Sequence, residues 1–258
     1  MSIILLDSKL RYDSISLDYF SRAGITNAAE KNAVNTLVLG MKANGLIDKC
    51  YAMYLCSPTS YGASLHNLIS SSFLLSATAA PGFSTNGWQG DGVTQFLKTG
   101  FIPSTNSTLN DFMFGFVSKT VGQLADVEMG AVNGTKETWA SARWTDDTAR
   151  ISYVTSASRL DAANTDGTGN FFFGALSTTS RYVRRNKTSL GTSAAAHGTD
   201  LPTIEMYLLA RNSAGAVNLA SARLICGAYI FKGLTTAECD IVSDGLDAYN
   251  LNVISGGR

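Results

Sequence analysis

The chain has 258 residues, 45% of them hydrophobic and only 16% charged, which excludes a disordered segment and provides enough apolar material for a full core. Lysine plus arginine equals aspartate plus glutamate at 20 each, so no net charge draws the chain to nucleic acid or to an anionic membrane. Twenty-four glycines against four prolines, set among many Ser, Thr and Asn, suit short strands joined by turns.

The opening run Ile3-Ile4-Leu5-Leu6 stops at Asp7 with no basic stretch before it, which fits neither a signal peptide nor a membrane span. The chain is therefore expected to be soluble and made without secretion. Leu17, Tyr19 and Phe20 mark a short docking piece, helical or extended. Asn27 stands three residues ahead of Glu30, the capping-box spacing of a helix start. Beyond it Val34, Leu37, Val38 and Met41 recur at i, i+3, i+4 and i+7, which draws one apolar stripe along a helix. Asn44-Gly45 ends that helix, with Gly45 suited to the left-handed position and Leu46 to the hydrophobic contact after it. Residues 1–46 are read as an attached docking segment whose helix face, Val34, Leu37, Val38 and Met41, meets neighbouring chains. Residues 47–258 are read as the body.

Residues 50–56 form the first expected strand. A polar stretch with His66 and Asn67 follows, then a turn-rich stretch, 82–92, that holds Trp88, and a further strand over 93–98. The clearest strand lies at 111–119, where Phe112, Phe114 and Phe116 alternate with Met113, Gly115 and Val117 to make a core face of period two. More strands are predicted at 125–132, 137–144, 150–155, 170–176, 181–186, 205–211 and 222–231. Turn-forming groups stand at 132–135, 145–147 and 212–215. About ten closely spaced strands without a linker predict one mainly β, antiparallel sandwich. Thr235 and Glu238 repeat the capping-box spacing and start a short closing helix.

The stretch Gly227-Ala228-Tyr229-Ile230-Phe231-Lys232-Gly233-Leu234-Thr235-Thr236-Ala237-Glu238 resembles the closing strand and helix of laminin-G-like, concanavalin A-like jelly rolls. Upstream, residues 84–104, from Ser84-Thr85-Asn86-Gly87-Trp88 to Phe101-Ile102-Pro103-Ser104, are similar to a motif of bacteriophage virion proteins. So are the helix over 25–46 with Ile47-Asp48-Lys49, the run Arg184-Arg185-Asn186-Lys187-Thr188-Ser189-Leu190, and Leu209-Ala210-Arg211-Asn212. The resemblance implies a virion structural component of a tail, collar, baseplate or head decoration. It would be made in the host cytoplasm and would act through contacts with other virion proteins and with copies of itself. Some cellular relatives of that broad class bind glycans, which implies the alternative of a carbohydrate-binding module for host recognition. The motifs mark scaffold and turns, so they specify architecture better than activity.

Some concanavalin A-like relatives are glycoside hydrolases, which work with paired carboxylates. The chain has five glutamates, and Glu30 and Glu238 are assigned to caps. Asp126 and Glu128 share one strand face, but the E-x-D-x-E arrangement of laminarinase-like enzymes is missing. A solvated strand face explains them more simply, and no enzyme is expected. Neither His66 nor His197 lies near a G-x-S-x-G elbow; His197 reads as an exposed loop residue and His66 as a structural hydrogen-bonding one. Laminin-G-like relatives often bind calcium, and Asp161-Ala162-Ala163-Asn164-Thr165-Asp166-Gly167 offers spaced oxygens without an EF-hand register. A flexible loop explains that segment equally well, and no cofactor is assigned. For a glycan, Trp88 supplies an aromatic face with Asn86, Gln89 and Asp91 around it, and Trp139 and Trp144 are alternatives; a buried Trp88 is the competing reading. Arg181, Arg184, Arg185 and Lys187 form the one basic cluster, a solvated strand or else a phosphate or glycan patch. Four cysteines without a CxxC pair read as reduced and buried, with a cross-chain disulfide as the alternative.

Overall fold

A computed structural model describes residues 12–177 and 179–254; the Ile3–Leu6 run lies outside them. Asp13 caps helix α1 (Ser14–Ala23) by accepting the Ile15 N–H, and Gly24 ends it at a φ of 67°, where glycine meets no Cβ clash. The segment around Leu17, Tyr19 and Phe20 is thus helical. Helix α2 (Ala28–Ala43) begins at Asn27, whose side chain accepts the Glu30 N–H as the spacing predicts. Glu30 itself turns elsewhere: its carboxylate accepts the hydroxyls of Ser57 at 2.5 Å and Thr59 at 2.6 Å, pinning the next loop to α2.

Strand β1 (Cys50–Leu55), the single turn α3 (Tyr61–Ser64), β2 (Gly82–Ser84), β3 (Gly87–Gln89) and β4 (Leu97–Lys98) follow. After the turn α4 (Pro103–Asn106) come β5 (Phe112–Ser118), the hairpin of β6 (Met129–Asn133) and β7 (Lys136–Ser141), and the long β8 (Thr148–Ala163). The chain continues through β9 (Gly169–Ser177), β10 (Ser180–Arg185), β11 (Thr188–Ser193), β12 (Tyr207–Leu208), β13 (Arg211–Ser213), β14 (Ala216–Asn218) and β15 (Leu224–Phe231). Helix α5 (Thr236–Val253) closes it behind a complete Thr235–Glu238 capping box.

Among the described residues one sheet of eight strands runs β11-β10-β9-β5-β15-β3-β2, with β1 also on β15. The other, of seven, runs β14-β13-β6-β12-β4, with β7 on β6 and β8 on β7. Pairing is antiparallel except where β13 lies parallel to β6. The predicted phenylalanine face is the sandwich core: Phe112, Phe114 and Phe116 of β5 join Phe171 and Phe173 of β9 against Met129, Ala131, Ala140, Ile151 and Leu208 of the smaller sheet. Burying each such ring stabilises the fold by about 1.5–3 kcal/mol.

The opposite face of the larger sheet carries Met113, Val117, Phe172 and Tyr229, and these pack beneath α1, α2 and α5. The molecule therefore has three layers, helices, larger sheet and smaller sheet. This arrangement corrects the reading of α2 as a face for neighbours. Val34, Leu37, Val38 and Met41 are at most 3% exposed, because they cover the apolar side of α5 and the larger sheet within the same chain. Gly245 permits the close crossing, since a Cβ there would lie 2.6 Å from Leu37 Cδ1.

Two predicted strands are shorter than expected. Asp91 Oδ1 accepts the N–H groups of Val93, Thr94 and Gln95, which removes those amides from any ladder and leaves only Leu97–Lys98 to pair. Leu209 adopts a φ of 66°, which breaks the 205–211 segment between β12 and β13.

Candidate functional site

The sugar site expected around Trp88 does not form as such. Trp88 is fully buried in the sandwich core, so its ring presents no face to a ligand. The reason lies in β3, where Trp88 pairs with Ile225 and alternation turns Gln89 outward instead. Gln89 donates to the Ala222 carbonyl, and Asp91 serves the turn just described; those three backbone N–H donors hold its carboxyl far below the usual carboxylate range. Gln89 lines a hollow of about 340 Å³ with Gly82, Phe83 and Gln95, but no flat ring faces into it from Trp88.

Asp126 and Glu128 are neither a catalytic pair nor a solvated strand face. They are 4% and 0% exposed and surround the fully buried Arg223. Arg223 Nε donates to Glu128 and lies 3.6 Å from Asp126, while Glu128 Oε2 accepts the Ala142 N–H at 2.8 Å. Ser221 donates to Asp126 at 2.6 Å, and the other Arg223 nitrogens donate to the carbonyls of Thr120, Gly122 and Arg143. Burial pushes the Glu128 carboxyl up, the nearby Asp126 adds to that, and Arg223 opposes it. The cluster is buried and ties the start of β15 to the β6–β7 end of the smaller sheet.

Of the basic cluster, Arg185 is half-buried and Lys187 exposed, whereas Arg181 and Arg184 are not solvated. Arg181 is 2% exposed and Arg184 5%, because α5 and the 193–197 segment cover β10. Arg184 pairs with Asp240 at 2.6 Å and Lys187 with Asp244 at 2.6 Å, both partners lying on α5. The 161–167 loop turns its oxygens to arginines rather than outward: Asp161 to Arg159 at 2.8 Å, Asn164 to Arg185 at 2.9 Å, and Asp166 to Arg185 at 3.4 Å. Among the described residues no group of three or more His, Cys, Asp or Glu could hold a metal ion. His197 is half-buried against the Tyr153 ring at 5.1 Å, with Nδ1 2.9 Å from the Gly198 carbonyl. Asn67, rather than His66, carries the local network, accepting the Met53 and Ile69 amides and donating to the Tyr51 carbonyl. Cys50, Cys56, Cys226 and Cys239 are buried free thiols.

The helices cover the larger sheet; the outer face of the smaller sheet has none of the helices over it, and its own side chains bury most of its central row. Strand register places Lys98, Tyr207, Gly130, Trp139 and Ser152 in one row across β4, β12, β6, β7 and β8. At about 4.8 Å per strand the row is roughly 19 Å wide. Gly130 lets Trp139 lie flat on the sheet, since a Cβ there would fall 2.3 Å from the Trp139 Cβ. Trp139 Nε1 donates to Glu137 at 2.9 Å, and the same oxygen accepts the Ser152 hydroxyl at 2.9 Å.

Two adjacent tryptophans lie between two arginines along this face. The Arg211 guanidinium lies 5.8 Å from the Trp139 ring centre, Trp139 lies 6.4 Å from Trp144, and Arg150 lies 4.6 Å over Trp144. Such cation–ring contacts contribute about 0.5–2 kcal/mol each and hold the rings in place. Trp139 is buried by its neighbours, whereas Trp144 is half-buried. Beside Arg211 a groove of about 540 Å³ is lined by Lys98, Thr203, Glu205, Tyr207 and Asn212. Tyr207 packs on Phe96 with ring centres 4.4 Å apart, and Glu205 is fixed by the Gly100 N–H at 2.9 Å. The face thus combines aromatic surface, cations, carboxylates, an amide and a hydroxyl. Trp139 and Trp144 stood in the sequence as alternatives; Arg150, Arg211 and Tyr207 carried no local signal, because only sheet register brings them together.

Comparison with protein-family models and with curated proteins finds no match. Solved structures share the fold. Domain 4 of AbnA, a GH43 extracellular arabinanase from Geobacillus stearothermophilus solved with arabinotriose, matches at 12% identity over 76% of this chain and 98% of that domain, with a TM-score of 0.53. A receptor binding domain matches at 13% identity over 79% of this chain and 52% of its own, with a TM-score of 0.54. Botulinum neurotoxin type C, in a structure concerned with its interaction with two ganglioside molecules, matches at 10% identity over 79% and 53%, with a TM-score of 0.51. This chain spans about half the length of the last two. At such identities the likeness defines the fold alone: an antiparallel β-sandwich of jelly-roll type, flanked by helices on one side.

Proposed function

We propose that the chain is a non-catalytic carbohydrate-binding module whose sugar face is the outer side of the smaller sheet. The observation that carries this reading is the Arg211–Trp139–Trp144–Arg150 ladder beside the groove of about 540 Å³. A pyranose ring is apolar on its C–H faces and polar at its rim. On an oligosaccharide the half-buried Trp144 would meet the C–H face of one unit, and Lys98, Thr203 and Glu205 the rim of another, a division of labour usual in small-molecule sites. The solved structures named above support the reading insofar as two of them are described with arabinotriose or gangliosides. Burial of Asp126 and Glu128 under Arg223 supports the absence of hydrolytic chemistry.

The helix face assigned to assembly in a virion, that of α2, is already covered by α5. The comparisons lend a bacteriophage origin no support. The test is a panel of neutral and acidic oligosaccharides offered to the full chain and to Trp144→Ala. Binding that is lost in the variant, with an unchanged melting temperature, supports the proposal. A variant that binds as tightly as the parent, or a panel with no ligand at all, removes it.

A further inference from the structure

A smaller pocket lies on the helix side of the larger sheet, where the end of that sheet meets the start of α5. It has a volume of about 140 Å³ and is lined by Arg184, Tyr182, Ser189, Thr192, Ser180 and Thr236, among others. At roughly 30 Å³ per molecule it has room for on the order of five waters, too few for a sugar ring and its shell. Cross-strand pairing of Tyr182 with Thr192 and of Arg184 with Ser189 brings two hydroxyls to the same face as the guanidinium. Thr236 is the first residue of an 18-residue helix, whose N-terminal end carries partial positive charge.

The pocket is short of acceptors. Arg184 is 5% exposed and uses Nη2 on Asp240 and on the Lys187 carbonyl, yet its Nε–H has no partner. Arg181 also borders the pocket at 2% exposure, but strand alternation sends its side chain to the opposite face of β10, where Nη2 serves Ser193 and the Ala195 carbonyl. Nearby charges are otherwise matched, Arg184 by Asp240, Lys187 by Asp244 and Lys49 by Glu238. Leaving the Arg184 Nε–H unsatisfied is costly, and an anion that accepts from it recovers that cost.

We infer that this pocket binds one small oxyanion, a sulfate, phosphate or carboxylate group, free or carried on a larger ligand, with Arg184 Nε as its charged donor and Ser189 and Thr192 as hydroxyl donors. The site is separate from the outer face of the smaller sheet and stands whether or not that face binds sugar.

Isothermal titration of the full chain with sodium sulfate, against sodium chloride at equal ionic strength, tests it. Saturable one-to-one binding of sulfate is expected. Arg184→Lys keeps the charge and the Asp240 pair but removes the Nε–H, and should weaken sulfate binding about tenfold, the loss of one charge-assisted hydrogen bond. Should that variant not fold, the surface double variant Ser189→Ala, Thr192→Ala serves instead and should also bind more weakly. No sulfate binding by the parent chain, or an unchanged affinity in the variant that folds, overturns the inference. A sulfated disaccharide that competes with sulfate, while its unsulfated form does not, marks the anion as a group on a larger ligand; its exclusion marks a free ion.

Discussion

At the scale of single residues the buried triad of Arg223, Asp126 and Glu128 shows how a motif that looks catalytic becomes structural. Charges removed from water lose several kcal/mol each and recover it only through tight mutual contact, so removing one partner is severe. Arg223→Met should therefore cost about 3–5 kcal/mol in urea denaturation, because two carboxyls stay buried without a cation. The pH dependence follows from Glu128, whose carboxyl burial raises well above its ordinary value of 4.5. Between 4.5 and that raised value the folded chain holds a proton that the unfolded chain has released. Stability from this group is fully present below 4.5 and falls as pH climbs through the window. Glu128→Gln has no proton to lose, so its stability should vary less with pH above 4.5 than that of the parent. It should also be less stable throughout, since its amide nitrogen must face either the Arg223 or the Ala142 donor. An identical slope in parent and variant would remove Glu128 as the source.

At the scale of elements, α2 and α5 explain why sequence legibility was uneven. The stripe Val34, Leu37, Val38 and Met41 announces a helix with one buried side, and that much is local periodicity. What covers the stripe is not local: α5 lies some two hundred residues on, and only the fold brings Gly245 against Leu37. Arg181 and Arg184 were opaque for the same reason, since a basic strand reads as solvated until other segments are laid over it. By contrast the Phe112-Phe114-Phe116 alternation and the Thr235–Glu238 cap could be read directly, because each pattern is written within a few residues. The outer-face site was half legible: two tryptophans near each other in sequence, but arginines supplied by β8 and β13. If α2 belongs to this chain's own core, Leu37→Ala should cost about 2–5 kcal/mol through the cavity it leaves. Size-exclusion chromatography with light scattering should meanwhile give the same molecular mass as for the parent chain. A mass that drops with the substitution would instead place the stripe between chains.

At the scale of the whole molecule, layering decides which chemistry reaches solvent. Helices seal one side of the larger sheet, the phenylalanine core joins the two sheets, and the outer face of the smaller sheet is roofed by its own side chains instead of by a helix. The three tryptophans report on this arrangement in turn: Trp88 lies between the sheets, Trp139 on the outer face but roofed by its neighbours, and Trp144 half-buried at the same face. A quencher such as acrylamide reaches a ring only through solvent, so Trp144 should supply most of the quenchable emission. Trp144→Phe should then leave a bluer and largely unquenched spectrum, with Trp88 and Trp139 still shielded. A bound oligosaccharide stacked on Trp144 should protect the parent in the same way that the substitution does. The two effects differ in reversibility, because dilution of the sugar restores quenching. If Trp88 were the quenchable ring, the sandwich core would have to be open to solvent, and the layer order itself would be wrong. The experiment thus tests in one spectrum both the architecture and the surface on which recognition is proposed to occur.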